Sequence, residues 1–185
     1  PCGTLFPYTT LFRSEGIESV FSNIRYGMLA RFPVIYVKLI ATGKAPEKLG
    51  PDLDAAAAWV GEKLSGYVFS SQGRSMEEEV AQLLFDRKKT VAAAESCTGG
   101  LVAHLLTNVS GSSDYFLLSA VTYANSAKTE LLGVPAETIE ACGAVHEETA
   151  KQMAEGVRRA AGADYGIATS GIAGPTGGSR EKPVG

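Results

Sequence analysis

Apolar positions along this chain follow two regimes that meet near Gly73. Before it, Phe32 to Thr42 alternates apolar and polar residues and is rich in β-branched side chains, the pattern of a half-buried strand. Asp52 to Leu64 is alanine-rich and predicts a helix, and Tyr67 to Ser70 predicts a second short strand. The run Ser71-Gln72-Gly73-Arg74 has the composition of a linker. Ser75 then opens a helix, with Glu78 placed three residues on as its capping-box partner and Met76, Val80, Leu83 and Leu84 as an apolar stripe. Thr90 to Ala94 reads as a buried strand of small residues, and Leu101 to Leu106 as a helix. Phe116 to Tyr123 predicts a strand, and Ser126 to Leu132 a short helix ended by Gly133. Pro135 suits the first turn of the next helix. Glu147 to Ala161 predicts a longer helix with Ala150, Met153, Ala154 and Val157 inward, and Tyr165 to Ser170 a strand leading into a glycine-rich loop to Gly178. Strands alternating with helices predict an α/β domain with three α/β/α layers and a largely parallel sheet, preceded by a small α+β piece.

Composition narrows the class of function. The chain has 185 residues, 45% hydrophobic and 20% charged, which is ordinary for a globular protein. Seventeen Lys and Arg against twenty Asp and Glu leave a formal charge of −3, which gives no basic footprint for nucleic acid or an anionic membrane. No apolar run approaches the ~20 residues of a membrane-spanning helix. The cysteines, Cys2, Cys97 and Cys142, are odd in number and widely spaced; they form neither a disulfide framework nor a C-x-x-C metal site, and a reducing cytoplasm is expected. Thr4 to Ser14, TLFPYTTLFRS, looks like a translated sequencing adapter, so residues 1–14 are set outside the fold argument.

In an open α/β sheet, ligands bind beyond the carboxyl ends of the strands. Glu95 to Gly100, Tyr123 to Lys128 and Ser170 to Gly178 fall there. Two of these are strand-to-helix turns, where free backbone N–H groups and the helix dipole favour a phosphate or an oxyanion. Ser96 has the setting of a nucleophile, and equally of a helix cap. Cys97 is a rival nucleophile that wants a histidine base. His104, inside a helix, and His146, before Glu147 and Glu148, are poorly placed for that, and no metal-ligand spacing is present. Lys128 remains as a base candidate, since a positive helix end and burial both disfavour its charged form; the alternative is a surface lysine paired with an acid.

AESCTGG (Ala94 to Gly100), GSSDYF (Gly111 to Phe116), Tyr123 to Lys128, LLGV (Leu131 to Val134), SGIAGP (Ser170 to Pro175) and EKPVG (Glu181 to Gly185) occur in that order. Together they resemble the CinA C-terminal domain, the nicotinamide-nucleotide amidohydrolase family, over Ser75 to Gly185; residues 15–73 resemble the tail of that family's KH-like middle domain. The resemblance implies hydrolysis of nicotinamide mononucleotide to nicotinic acid mononucleotide and ammonia, with no metal and no cofactor. Ser96 matches the nucleophile, Lys128 the general base, and Tyr123 the tyrosine assisting them. Thr98, Gly99 and Gly100 would supply oxyanion donors. Ser170, Gly171, Gly174 and, beside them, Ser112 and Ser113 would hold the ribose phosphate. The chain departs from the family at Ala124, Ser126 and His146, and the family pattern continues past Gly185 with further elements and a substrate-contacting arginine. A second expectation is a nucleotide-binding or regulatory module without turnover. RNA binding through the KH-like segment is disfavoured, since no G-x-x-G clamp is present there. The partner expected is the small-molecule substrate, with no nucleic acid and no membrane, and a homo-oligomer is compatible with the sequence.

Overall fold

The computed structural model describes residues 16–31 and 33–184, so the adapter-like segment 1–14 and Cys2 lie outside the described residues. The chain divides into two compact units, one ending at Arg74 and the other beginning at Ser75. In the first, a single helical turn (α1, Ile17–Val20) leads into an antiparallel hairpin of β1 (Ile24–Arg31) and β2 (Val34–Ala41), paired from Ile24 opposite Ala41 to Arg31 opposite Val34. The helix α2 (Pro46–Lys63) packs Ala56 and Val60 against Ile17 and Ile24. β2 is the strand expected at 32–42. β1 was not expected, because Gly27 interrupts its alternation and several of its side chains are exposed. The helix begins six residues before Asp52: Pro46 occupies its first turn, and Pro51 is carried inside it at the expense of one backbone hydrogen bond. Tyr67 to Ser70 is not a strand. Tyr67 closes a turn onto Leu64 and the segment pairs with no strand among the described residues.

The second unit is an α/β domain. A three-stranded parallel sheet has β3 (Val91–Glu95) at its centre, between β4 (Phe116–Val121) and β5 (Tyr165–Thr169). All five residues of β3 are buried, and their alternation divides the core. Val91 packs with Ala81 and Leu84 of α3 (Met76–Arg87) and Leu106 of α4 (Leu101–Thr107). Ala92 and Ala94 face the opposite way, into a cluster with Leu132 of α5 (Asn125–Leu132) and Met153 and Val157 of α7 (Glu147–Ala161). Helices thus cover both faces of the sheet, as the alternation of elements predicts. The short α6 (Ala136–Cys142) completes the second face, with Pro135 as its cap rather than its first helical residue.

Two details of the sequence reading change. The inward stripe of α3 is Val80, Ala81 and Leu84, while Met76 and Leu83 are exposed: the capping box fixes where the helix starts, and its rotation turns the smaller Ala81 onto the sheet. That capping box is present, with Ser75 Oγ accepting from Glu78 N at 3.3 Å and Glu78 Oε2 accepting from Ser75 N at 2.8 Å. On α7, Met153 and Val157 are buried as expected, but Thr149 and Gly156 complete the stripe and Ala150 and Ala154 are only half-buried.

Candidate active site

The carboxyl end of β3 delivers Glu95 and Ser96 to the edge where Thr122 leaves β4 and Thr169 ends β5. Ser96 N donates to Thr169 O (3.1 Å) and Thr122 N donates to Glu95 O (2.8 Å), so both neighbouring strands hold this turn. Lys128, one turn into α5, extends back beneath it. Its amine is 0% exposed and meets three oxygens: Thr122 O at 2.7 Å, Tyr123 O at 3.2 Å and Ser96 Oγ at 3.3 Å. It forms no ion pair among the described residues. Burial pushes the Lys128 pKa below that of an ordinary lysine, against a weaker Coulombic effect of Cys97 that raises it.

The partners accommodate both protonation states of the amine. An uncharged NH2 group has two hydrogens and one lone pair. As an ammonium, Lys128 donates one hydrogen to each of the three oxygens, Ser96 Oγ among them; as a neutral amine it donates to the two carbonyls, which can only accept, and the serine hydroxyl donates to its lone pair. In the neutral form the serine hydroxyl is hydrogen-bonded to the amine lone pair.

Glu95 organises the other side of the turn. Its Oε2 accepts from Thr98 Oγ1 (2.7 Å), Gly100 N (3.0 Å) and Val102 N (3.0 Å), and its Oε1 from Ala103 N (2.8 Å) and Ser119 Oγ (3.3 Å). Desolvation by itself raises a carboxyl pKa, but the Ala103 N–H, the Thr98 hydroxyl and the Val102 and Gly100 N–H groups together hold Glu95 below its ordinary value. The N-terminus of α4, expected from the sequence to be open to a phosphate or an oxyanion, is therefore filled by the chain's own carboxylate. Gly99 N is also used, donating to Ser96 O (3.1 Å). Of the oxyanion donors expected at Thr98, Gly99 and Gly100, the two glycines are thus committed elsewhere. Among the described residues the N–H groups that remain without an acceptor in this turn are those of Cys97 and Thr98. The Thr98 side chain is committed too: its proton goes to Glu95, and the Thr169 hydroxyl 2.7 Å away then donates to it.

The remaining expected residues are distributed unevenly. Tyr123 meets Lys128 through its carbonyl, while its ring is 72% exposed and its hydroxyl makes no hydrogen bond among the described residues. Gly171 lies against the Ser96–Cys97 turn, since a Cβ there would sit 3.3 Å from Cys97 Sγ. Ser170 Oγ donates to Ala144 O (2.7 Å), and the space beside Gly174 is taken by Val184. Ser112 and Ser113 are not brought to this edge. They precede β4, and Val91 at the start of β3 pairs with Phe116, so they stand at the amino edge of the sheet. The length of β3, about 13 Å, separates the two edges. His146 caps α7, its Nδ1 accepting from Glu148 N (3.1 Å), and the exposed His104 meets Asn108 Nδ2 (3.4 Å), so neither histidine is hydrogen-bonded to Cys97 among the described residues.

Glu95, Thr122 and Thr169 were not singled out by sequence reasoning. A signal for Glu95 existed. An acid closes an otherwise apolar buried strand, and the helix after it begins behind two glycines with no capping side chain of its own.

A family model described as the CinA C-terminal domain matches residues 73–185. A CinA-like protein of Desulfosudis oleivorans is 55% identical over 174 residues, covering 94% of this chain and 42% of that protein. A CinA-like protein of Desulforapulum autotrophicum is 52% identical over 176 residues, with 94% and 41% covered. The chain thus spans about two-fifths of the length of these curated relatives. Among solved structures, a competence damage-inducible protein A from Klebsiella pneumoniae aligns with a TM-score of 0.57 at 39% identity, over 59% of this chain and 68% of that one. A competence/damage inducible protein from Agrobacterium tumefaciens aligns with a TM-score of 0.56 at 44% identity, over 62% and 72%.

Proposed function

The chain belongs to the family of the CinA C-terminal domain, and from that premise we propose that it hydrolyses the carboxamide of nicotinamide mononucleotide to nicotinic acid mononucleotide and ammonia through a Ser96 acyl-enzyme. The observation that carries this reading is the buried, unpaired Lys128 amine in hydrogen-bond contact with Ser96 Oγ.

The steps follow from the partners already described. Lys128 takes the Ser96 proton as Oγ attacks the carboxamide carbon, and the ammonium that forms is stabilised by the carbonyls of Thr122 and Tyr123. The carbonyl oxygen becomes an oxyanion, for which the open N–H groups of Cys97 and Thr98 are the donors. A single such donor contributes about 3–4 kcal/mol in well-characterised sites. Lys128 returns the proton to the leaving nitrogen, and the C–N bond breaks to release ammonia. Water, deprotonated by the same amine, attacks the acyl-enzyme, the C–O bond to Ser96 breaks, and the serine recovers its proton.

Ammonia release from nicotinamide mononucleotide tests the reading. Ser96→Ala is expected to abolish it, and Lys128→Ala to lower it by roughly 10²–10⁴-fold, the range of a general base. Parental rates in both variants would overturn the serine–lysine mechanism. Calorimetric binding of the mononucleotide with no ammonia from the parental chain would instead support a binding module.

A further inference from the structure

Glu95 is a buried carboxylate that takes no part in the proposed bond-making and bond-breaking. An ionised side chain that is 0% exposed would ordinarily be paired with a cation, and a buried lysine lies on the next turn of the same site. No ion pair joins them. Both carboxylate oxygens are instead occupied by five hydrogen bonds from N–H and O–H donors, four of them drawn from Thr98 to Ala103. This saturates the acceptor and leaves Lys128 without a counter-charge.

Resting on the proposed reaction, we infer that Glu95 is its positioning residue: by binding the Gly100, Val102 and Ala103 amides and the Thr98 hydroxyl, it locks the turn that aims Ser96 and leaves the Cys97 and Thr98 amides as the open donors. Two features of the chain make this role necessary. Gly99 and Gly100 carry positive φ values, 60° and 105°, and give the turn no stiffness of their own. The helix behind them has no capping side chain immediately before it. Glu95, fixed at the end of the central strand, supplies from the sheet what the turn lacks. Its contact with Ser119 Oγ ties the same carboxylate to β4.

The test is Glu95→Gln, which keeps the shape but presents an NH2 group where one set of N–H donors needs an acceptor. Three readouts are taken on parental and variant chains: kcat and KM for ammonia release, amide exchange at Gly100, Val102 and Ala103, and the folded fraction. The inference expects faster exchange at those three amides and a kcat per folded molecule lower by about 100-fold, the scale set by losing an oxyanion donor, with KM changed less than about threefold. Glu95→Asp, which retains the charge but shortens the reach by one methylene, is expected to fall between them and guards against a Gln variant that does not fold. Parental kcat in the folded Gln variant, or in an Asp variant whose three amides exchange faster, would overturn the inference while leaving the reaction standing. A parental chain that releases no ammonia would overturn the reaction itself, and this inference with it.

Discussion

Gly156→Ala offers a quantitative test of how α7 supports the site. An alanine Cβ there would stand 2.1 Å from Leu132 O and 2.9 Å from Leu132 Cβ, where such carbons keep at least 3.0 Å. The shortfall of 0.9 Å is against a backbone carbonyl, which cannot rotate away, so α7 and the end of α5 must separate by nearly an ångström. Overpacking of this kind costs about 3 kcal/mol at the upper end of its usual range. The gain from replacing a helical glycine by alanine is about 1 kcal/mol, so a net loss of about 2 kcal/mol is expected. For a unit of this size that lowers the thermal midpoint by roughly 8 °C. A urea titration should show a lower midpoint at unchanged slope. Because α5 carries Lys128, the same shift lengthens its 3.3 Å contact with Ser96, and ammonia release should fall by up to about 100-fold. A variant as stable as the parent, or more stable, would refute the reasoning, for it would mean that helix propensity outweighs the contact.

Three further outcomes follow from the same geometry. The Lys128 pKa is lowered in the folded chain, so between that value and the ordinary 10.5 the unfolded chain binds more protons and stability rises with pH; Lys128→Met should flatten that rise in urea midpoints measured across the alkaline range. Asp164 accepts from Lys89 Nζ (2.7 Å) and from Thr90 N and Oγ1 (both 2.9 Å), contacts that hold its pKa down to about 2. Its stabilisation is complete above the ordinary 3.8 and lost as pH falls toward 2, so the difference in thermal midpoint between parent and Asp164→Asn should be present at neutral pH and close over that acid window. Ser112→Ala with Ser113→Ala should leave KM for the mononucleotide unchanged, since both serines stand at the amino edge of the sheet; a tenfold rise would contradict that placement.

What the sequence made legible was whatever repeats at a fixed period or sits at a helix end. Val91 to Ala94 is apolar throughout, Ser75 and Glu78 have capping-box spacing, and the stretch from Glu147 to Ala161 carries helical periodicity; each of these elements formed where expected. The failures have a common cause, which is that neighbours distant in sequence decide them. Tyr67 to Ser70 has strand composition but no partner edge among the described residues, and β1 lacks clean alternation but gains a full register of partners from β2. Ser112 and Ser113 lie 16 and 17 residues from Ser96 in sequence and on the wrong edge in space, because α4 carries the chain back across the sheet before β4 begins.

The distribution of charge within the site was the least legible feature, and the reason is specific. In the sequence Glu95 stands beside Ser96 and Lys128 follows the next strand, and an ion pair between them would hold the lysine protonated and unfit to act as a base. Alternation along β3 prevents it. Glu95 shares the face of Val91, the face covered by α4, and there the amides of a helix start satisfy its charge without a cation. Lys128 comes from α5, whose Leu132 packs on the opposite face with Ala92 and Ala94, and reaches Ser96 only where the strand has ended. The sheet therefore keeps the two groups on separate hydrogen-bonding partners: amide and hydroxyl donors for the carboxylate, oxygen acceptors for the amine. A one-residue shift in the register of β3 would exchange those faces, bring the carboxylate to the lysine, and join the two in a salt bridge.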